Sequence, residues 1–350
     1  MKNITKFTFS VCLLISSFAN AANFNSCGGA LHWGGDNVTL YFSPISYPDG
    51  GFWKNRSESI MNIWNNIEGS NFKFNSAIDS GGVGYDNGKS EVWFGDTGGL
   101  LGKTVWEWSN YCFLGNDQHY DEVDVVMNPD PMPLDSNKHW SFTPVSNAII
   151  TEYNYDVVFL HELGHALGLK HSNDKIATMN SKYPNSGSVG HSNTVTPHSD
   201  DRHGLRYLYP GNTTARDFAV IRFKNSGSST NNNEVLYNGS NTRTLLKGNT
   251  YQIEYTVENL GTSTETPQVN FYISTNTHIS TSDTYIGGVT FKQFPEGASY
   301  HGKANITIPT NLANGSSYSI GYKVDPYNGI QESDESNNFV SLVGVFKVFQ

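Results

Sequence analysis

The stretch HELGHALGLKH, residues 161–171, holds the residue types from which a metal-dependent hydrolase can be built. His161 and His165 are four apart. On a helix that spacing sets two imidazoles on one face, one turn apart, where they can hold one zinc ion. Glu162 stands beside them, free to take a proton from a water polarised by that ion. Gly168 can end the helix through a left-handed turn at no steric cost, which would swing His171 back as a third ligand. Three protein ligands leave a fourth position open, the arrangement of a catalytic zinc rather than a structural one. The expectation is one catalytic Zn2+ on His161, His165 and His171, with Glu162 as the catalytic base. A plain amphipathic helix with chance histidines is the alternative, and the fixed offsets of four residue types speak against it.

The chain around this stretch supplies elements to carry it. Leu160, Leu163 and Leu167 recur as an apolar stripe roughly opposite the two histidines, and Asn154 or Asp156 can cap the helix start. Upstream, Val38 to Phe42 reads as a first strand. Ile60, Ile63, Trp64 and Ile67 recur at helical spacing up to Gly69. Strands follow at 72–74, 91–94, 100–106 and 123–127, separated by glycine turns. Ser199 is placed to cap a last helix, with Asp200 and Asp201 in its first turn. Strand, helix, several strands and the histidine helix imply an α+β domain, a mixed twisted sheet with helices packed on it.

The same residues carry a family resemblance. HELGHALGLKH resembles the zinc signature of the metzincin peptidases, and HSNDKIATM at 171–179 resembles the matrixin branch. The resemblance implies that Met179 is the Met-turn residue beneath the ligands and that Tyr183 fills a matrixin tyrosine position. DDRHGLRYLYP at 200–210 is similar to the matrixin closing helix. The likeness covers roughly 30–210 and is strongest over 157–210. It implies a long zinc-binding helix and a secreted zinc endopeptidase acting on extracellular proteins or peptides. The substrate would lie as an extended strand along 99–106, with an internal strand there as the alternative. Zinc hydrolases that use a distant glutamate as third ligand are excluded, because no Glu lies between Glu162 and Glu234; His171 takes the role, with His191, His198 and His203 as alternatives whose surroundings favour surface positions. There are departures from the family. Asn180-Ser181 follows Met179, Lys103 stands where a structural zinc site would need a histidine, no room for a pro-segment precedes Trp33, and glycine-rich serralysin repeats are missing.

Residues 1–21 read as a signal peptide, with Lys2 and Lys6, a short apolar run and Ala19-Asn20-Ala21 as the cleavage site. The expected location is secreted and extracellular. Cys27 and Cys112 then form the candidate disulfide, the alternative being Cys27 as a thiolate on the zinc. The net charge of −10 shows no basic stripe, so no nucleic-acid partner is expected, and no run after the leader is long and apolar enough for a membrane span. The expected domains are a zinc peptidase over 22–212 and a second unit over 216–350. That second unit reads as seven short strands (218–223, 251–257, 269–273, 285–289, 304–308, 318–324, 339–345), an all-β immunoglobulin-like sandwich. GIQESDESNN at 329–338 resembles the end of bacterial adhesion-related, CARDB-like sandwich domains. Such a module is expected to dock the enzyme on a surface or glycan, or to serve as a spacer. Candidate ligands for a Ca2+ or zinc ion are His119, Asp121, Glu122 and Asp124 in the first half, and for Ca2+ Asp325, Glu332, Asp334 and Glu335 in the second. A solvated acidic turn is the alternative in both places. Two other functions compete: a surface adhesin with a vestigial metal site, which has no use for Glu162, and a zinc hydrolase acting on bonds other than peptides.

Overall fold

The computed structural model describes residues 30–108, 119–130, 139–142, 152–173, 176–181, 195–224 and 232–350. The signal segment, Cys27, Cys112, Tyr183 and His191 lie outside them. The first half begins with strand β1 (Asn37–Phe42), helix α1 (Phe52–Asn65) and strands β2 (Lys73–Ile78), β3 (Glu91–Phe94), β4 (Gly102–Trp108) and β5 (Tyr120–Met127). Two short strands, β6 (His139–Ser141) and β7 (Glu152–Asn154), lead into α2 (Tyr155–Ala166), and α3 (Ser199–Leu208) closes the half.

The strands β1 to β5 form one twisted sheet in the order β2-β1-β3-β5-β4. Its pairs are parallel except β4 on β5, which is antiparallel and puts β4 at the edge. α1 and α2 pack together, and the Trp64 indole N–H donates to the Leu160 carbonyl at 3.0 Å. Val158, Phe159, Leu160, Leu163 and Ala166 of α2 are all buried in the core between sheet and helices. The helix is therefore apolar on nearly every side except the one that carries the histidines. It is twelve residues long, an ordinary helix rather than the long one the resemblance implies, because the chain turns at Gly168.

The second half is a sandwich of two sheets. One holds β8 (Phe218–Ile221), β9 (Val235–Tyr237), β10 (Ser240–Asn241), β12 (Thr250–Asn259) and β15 (Ser299–Thr307). The other holds β11 (Thr244–Leu246), β13 (Gln268–Ser274), β14 (Thr284–Thr290), β16 (Ser317–Val324), β17 (Phe339–Ser341) and β18 (Phe346–Phe349). Phe218, Ile253, Val257, Phe271, Ile320 and Phe346 fill the space between them. The strand expected over 339–345 ends at Ser341, and a further strand, β18, starts past it at Phe346; Gly344 between them, at φ +94°, lets β18 leave β17 and reach β11. The pairs β9–β10 and β11 were not anticipated; they are too short to show a period in the sequence.

Candidate metal centre

Asn154 starts the helix that carries the site. Its side chain accepts from the backbone N–H of Asp156 at 2.9 Å and Val157 at 3.4 Å, so of the two expected caps Asn154 is the one used. Asp156 instead pairs with Arg56. At the other end Gly168 takes φ +99° and donates to the His165 carbonyl at 2.9 Å. A Cβ there would sit 2.6 Å from the Leu31 carbonyl oxygen. The turn therefore needs glycine for its angle and for its space.

The turn brings three rings together. The Nε2 of His171 lies 3.3 Å from the Nε2 of His161 and 3.1 Å from that of His165. Four tetrahedral ligands at the usual Zn–N length would be roughly 3.3 Å apart, so the spacing fits one zinc ion. The other nitrogens of the two helix histidines are spoken for. Nδ1 of His161 lies 2.8 Å from the Thr178 carbonyl and Nδ1 of His165 2.8 Å from the Leu169 carbonyl. A carbonyl can only accept, so each Nδ1 carries the proton and each Nε2 lone pair faces the centre. Burial holds His161 down to about 4 and, with His161 beside it, His165 down to about 3. Burial lowers His171 as well. The trio is thus neutral at physiological pH, the state in which imidazole binds metal. Among the described residues these three histidines form a donor set able to hold a metal ion.

Glu162 is 6% exposed and lies against β4. Its Oε2 accepts from the Thr104 hydroxyl at 2.7 Å. Burial pushes its carboxyl up to about 7, and the Thr104 bond partly opposes that. β4 can approach this closely because position 102 is glycine: a Cβ there would lie 2.7 Å from Glu162 Cγ. Trp106, on the same strand, donates from its indole to the His165 carbonyl at 2.9 Å and stands edge-on to the His165 ring.

Met179 is fully buried, with its sulfur against Gly164 of α2. A Cβ on Gly164 would lie 2.2 Å from its Sδ, so the glycine between the two helix histidines is the seat for the methionine. Nothing in the sequence pattern singled out Gly164, Gly102, Thr104 or Trp106. Asp201 was foreseen only as a dipole partner. Its carboxylate accepts from the backbone N–H of Thr178 at 2.7 Å, Met179 at 3.1 Å and His198 at 2.9 Å. That last bond makes His198, not Ser199, the residue preceding α3. His198 and His203 face the sandwich and stand apart from the trio, at Glu258 and Gly297 respectively.

The first group of candidate calcium ligands is split by strand alternation. On β5, Glu122 and Asp124 turn inward while Asp121 stays exposed, and His119, exposed as well, stands edge-on to His32 at 4.9 Å. The inward pair meets Glu91. Asp124 accepts from the Glu91 N–H at 3.0 Å, and Glu122 accepts from Asn87 N–H at 3.0 Å and Gly88 N–H at 2.5 Å. Burial pushes Asp124 up to about 8; the Glu91 N–H opposes this and the Glu122 carboxyl beside it adds to it. A proton on Asp124 would relieve the like charges. With Glu122 and Asp124 buried and His119 and Asp121 exposed, the four residues are not among the donor groups that converge on one point among the described residues. The second group is absorbed by its own loop. Asp325 accepts from Gly329 and Ile330 N–H, Asp334 from Ser336 N–H, Glu332 from Phe218 N–H, and Asn338 bridges Glu332 and Glu335.

Comparison with known proteins agrees with the two-part layout. Residues 124–210 match the matrixin family and residues 234–342 match CARDB. Human matrix metalloproteinase-26 is 30% identical over 151 residues, covering 41% of this chain and 49% of that protein. Rabbit (Oryctolagus cuniculus) macrophage metalloelastase is 35% identical over 98 residues, covering 28% of this chain and 16% of that protein. The chain thus spans less than half the length of these relatives. A crystal structure of a CARDB domain from Pyrococcus furiosus is 18% identical, covering 40% of this chain and 98% of that one, with a TM-score of 0.26, too low to bear on the fold. No helix among the described residues is long and apolar enough to cross a membrane. The stretch that matches the matrixin model holds the three histidines, and the stretch that matches the CARDB model lies in the sandwich.

Proposed function

We propose that this protein is a secreted zinc endopeptidase. One observation carries the reading: three neutral imidazoles converge on a point beside a buried carboxylate and an edge strand. His161, His165 and His171 would hold the ion. Zinc in that position supplies Lewis acidity toward water and toward a carbonyl oxygen. Glu162 is the proton carrier. It takes the proton of the attacking water and delivers it to the leaving amine as the peptide bond breaks. Its raised pKa suits a group that must both accept and give at neutral pH. The Thr104 hydroxyl keeps the carboxylate from swinging away.

Among the described residues β4 pairs with β5 alone in its sheet; its other edge would offer backbone donors and acceptors to an extended substrate strand running antiparallel to it across the site. Residues 1–21 would direct export, and in an oxidising compartment Cys27 and Cys112 would pair. The exposed tyrosines 237, 285 and 327 give the sandwich aromatic surface for docking on a glycan or matrix. Metal analysis of the purified chain tests the centre. One zinc per chain is expected, falling to none in a His165→Ala variant that still melts cooperatively. Zinc retained without His165 would remove this site from consideration.

A further inference from the structure

The sandwich holds on to the peptidase half at a point that leads into the metal centre. Glu258, near the end of β12, is 1% exposed. It accepts from the Ser199 N–H at 3.2 Å and the Ser199 hydroxyl at 2.9 Å, and its other oxygen lies 2.9 Å from His198 Nδ1. All three contacts fall on the start of α3. One half-turn on, Asp201 fixes the amides of Thr178 and Met179. The carbonyl of that same Thr178 receives Nδ1 of His161 at 2.8 Å. The path runs β12, α3, the methionine turn, first histidine, with a hydrogen bond at each junction.

A second set of contacts runs beside it. Ile176, three residues before Met179, is buried against Ile221 and Phe223 of the sandwich. Arg202 pairs with Asp217 at 3.0 Å, and Arg206 donates to the Leu260 and Gly261 carbonyls at 2.8 and 2.6 Å. A module that only tethers the enzyme needs few contacts across its boundary, and those it has are exposed. Here the buried carboxylates of Glu258 on β12 and Asp217 just before β8 both end on α3 or the residue that precedes it. The methionine turn belongs to no helix or sheet of its own, so its position is set by what grips its amides. Local bonds hold part of it: the Ser172 N–H on the Met179 carbonyl at 2.8 Å, the Thr178 hydroxyl on the Thr196 carbonyl at 3.1 Å and the Ser181 N–H on Asn173 Oδ1 at 2.9 Å. The amides of Thr178 and Met179 themselves are held by Asp201, whose helix is anchored from the sandwich.

We propose that Glu258 is a positioning residue for the metal centre, acting through α3, Asp201 and the methionine turn on His161. The sandwich is then a built-in buttress of the site, whatever else its outer surface binds. This rests on the zinc reading above.

The test uses the full chain loaded with Co2+, whose visible spectrum reports the geometry of its ligands. Co2+ affinity is measured by chelator competition in wild type, Glu258→Ala, Glu258→Gln and Glu265→Ala. Glu265 is a control in the same domain, paired with Arg216 away from α3. A direct outer-shell partner of a metal ligand is worth roughly 10–100-fold in affinity, so a residue two links further out is expected to cost about three- to tenfold. Glu258→Ala should show that loss with shifted visible bands. Glu258→Gln, which keeps an acceptor for Ser199, should recover much of it, and Glu265→Ala should match wild type. Wild-type affinity and spectrum in Glu258→Ala, or an equal loss in Glu265→Ala, overturns the proposal. Should Glu258→Ala not fold, Ser199→Ala removes the hydroxyl bond alone and is read the same way. Wild type that takes up no Co2+ overturns the zinc reading, and the buttress falls with it; normal uptake with unaffected variants overturns the buttress only.

Discussion

Two regions of this molecule bury polar side chains, and they do so differently. In the sandwich, Asn259 donates to the Ser263 and Phe294 carbonyls and accepts from the Gly261 N–H. Asn233 sits among the Ile221 carbonyl, the Thr256 hydroxyl and the Tyr322 hydroxyl, all at 3.1 Å or less. These amides are turned toward the backbone, and they stitch strands together. In the metal centre His161, His165 and Glu162 each have one polar atom tied down and a second one left over. Nδ1 of His161 and of His165 meets a carbonyl while Nε2 points at its neighbours; Glu162 has Oε2 on Thr104. The oxygen that Asn233 leaves without a partner is sealed inside the sandwich, whereas the untied Nε2 atoms of the centre converge on one point, oriented and able to react.

If that contrast is right, damage to the two regions should read out differently. The largest effect is expected at Gly164→Val. The new side chain would collide with Met179 Sδ, overpacking that costs on the order of 1–3 kcal/mol. Because the strain falls between two ligands, zinc retention should drop with it, as equilibrium dialysis would show. A variant that melts early yet binds zinc normally would separate Met179 from the ligands. Asn233→Ala should come next. It strips donors from a fully buried site, a loss of about 1–3 kcal/mol, seen as an earlier melt with cleavage per folded molecule unchanged. Cleavage falling out of step with folding would make the sandwich amide part of the chemistry.

The smallest effect is on pH. His161 and His165 are depressed from 6.5 to about 4 and about 3 in the folded chain. Below about 6.5 the unfolded chain binds protons that the folded one refuses. The stability these two contribute to the metal-free protein is therefore present above 6.5 and is lost as pH falls through about 4 and about 3. Metal affinity should accordingly stay nearly flat as pH drops from about 7 to about 6, a range in which free imidazole gains much of its charge. Chelator competition at the two values checks this, and a steep fall would mean that the trio is more solvated than its packing indicates.

How much of this could be read from the sequence depended on distance along the chain. The two histidines, the base and the glycine turn are local, fixed by helical spacing and one left-handed residue, and residues 161–171 show them directly. Asn154 was one of two caps, since local pattern cannot tell which carboxylate or amide an arginine will claim. Thr104 was not legible. Its bond to Glu162 joins residues 58 apart, and only the sheet order puts β4 beside α2. The split of the first acidic group was hidden for a different reason. His119, Asp121, Glu122 and Asp124 look like one cluster in a line of text, but a strand sends alternate residues to opposite faces. In the sandwich the break at Gly344 was lost in a run of apolar residues, where valines on either side suggest one continuous strand. Glu258 was least visible, being an acid in an otherwise regular strand whose partners lie 59 and 60 residues away.

The central claim is that the converging trio and Glu162 make a hydrolytic centre for peptide bonds. The most direct measurement is cleavage of a mixed, unfolded protein substrate by the full chain and by Glu162→Ala, each with and without a zinc chelator. The account predicts that wild type cuts, that the chelator stops it and added zinc restores it, and that Glu162→Ala holds zinc as well as wild type but does not cut. Cleavage that survives the loss of Glu162, or a zinc-loaded wild type that cuts nothing, would contradict it.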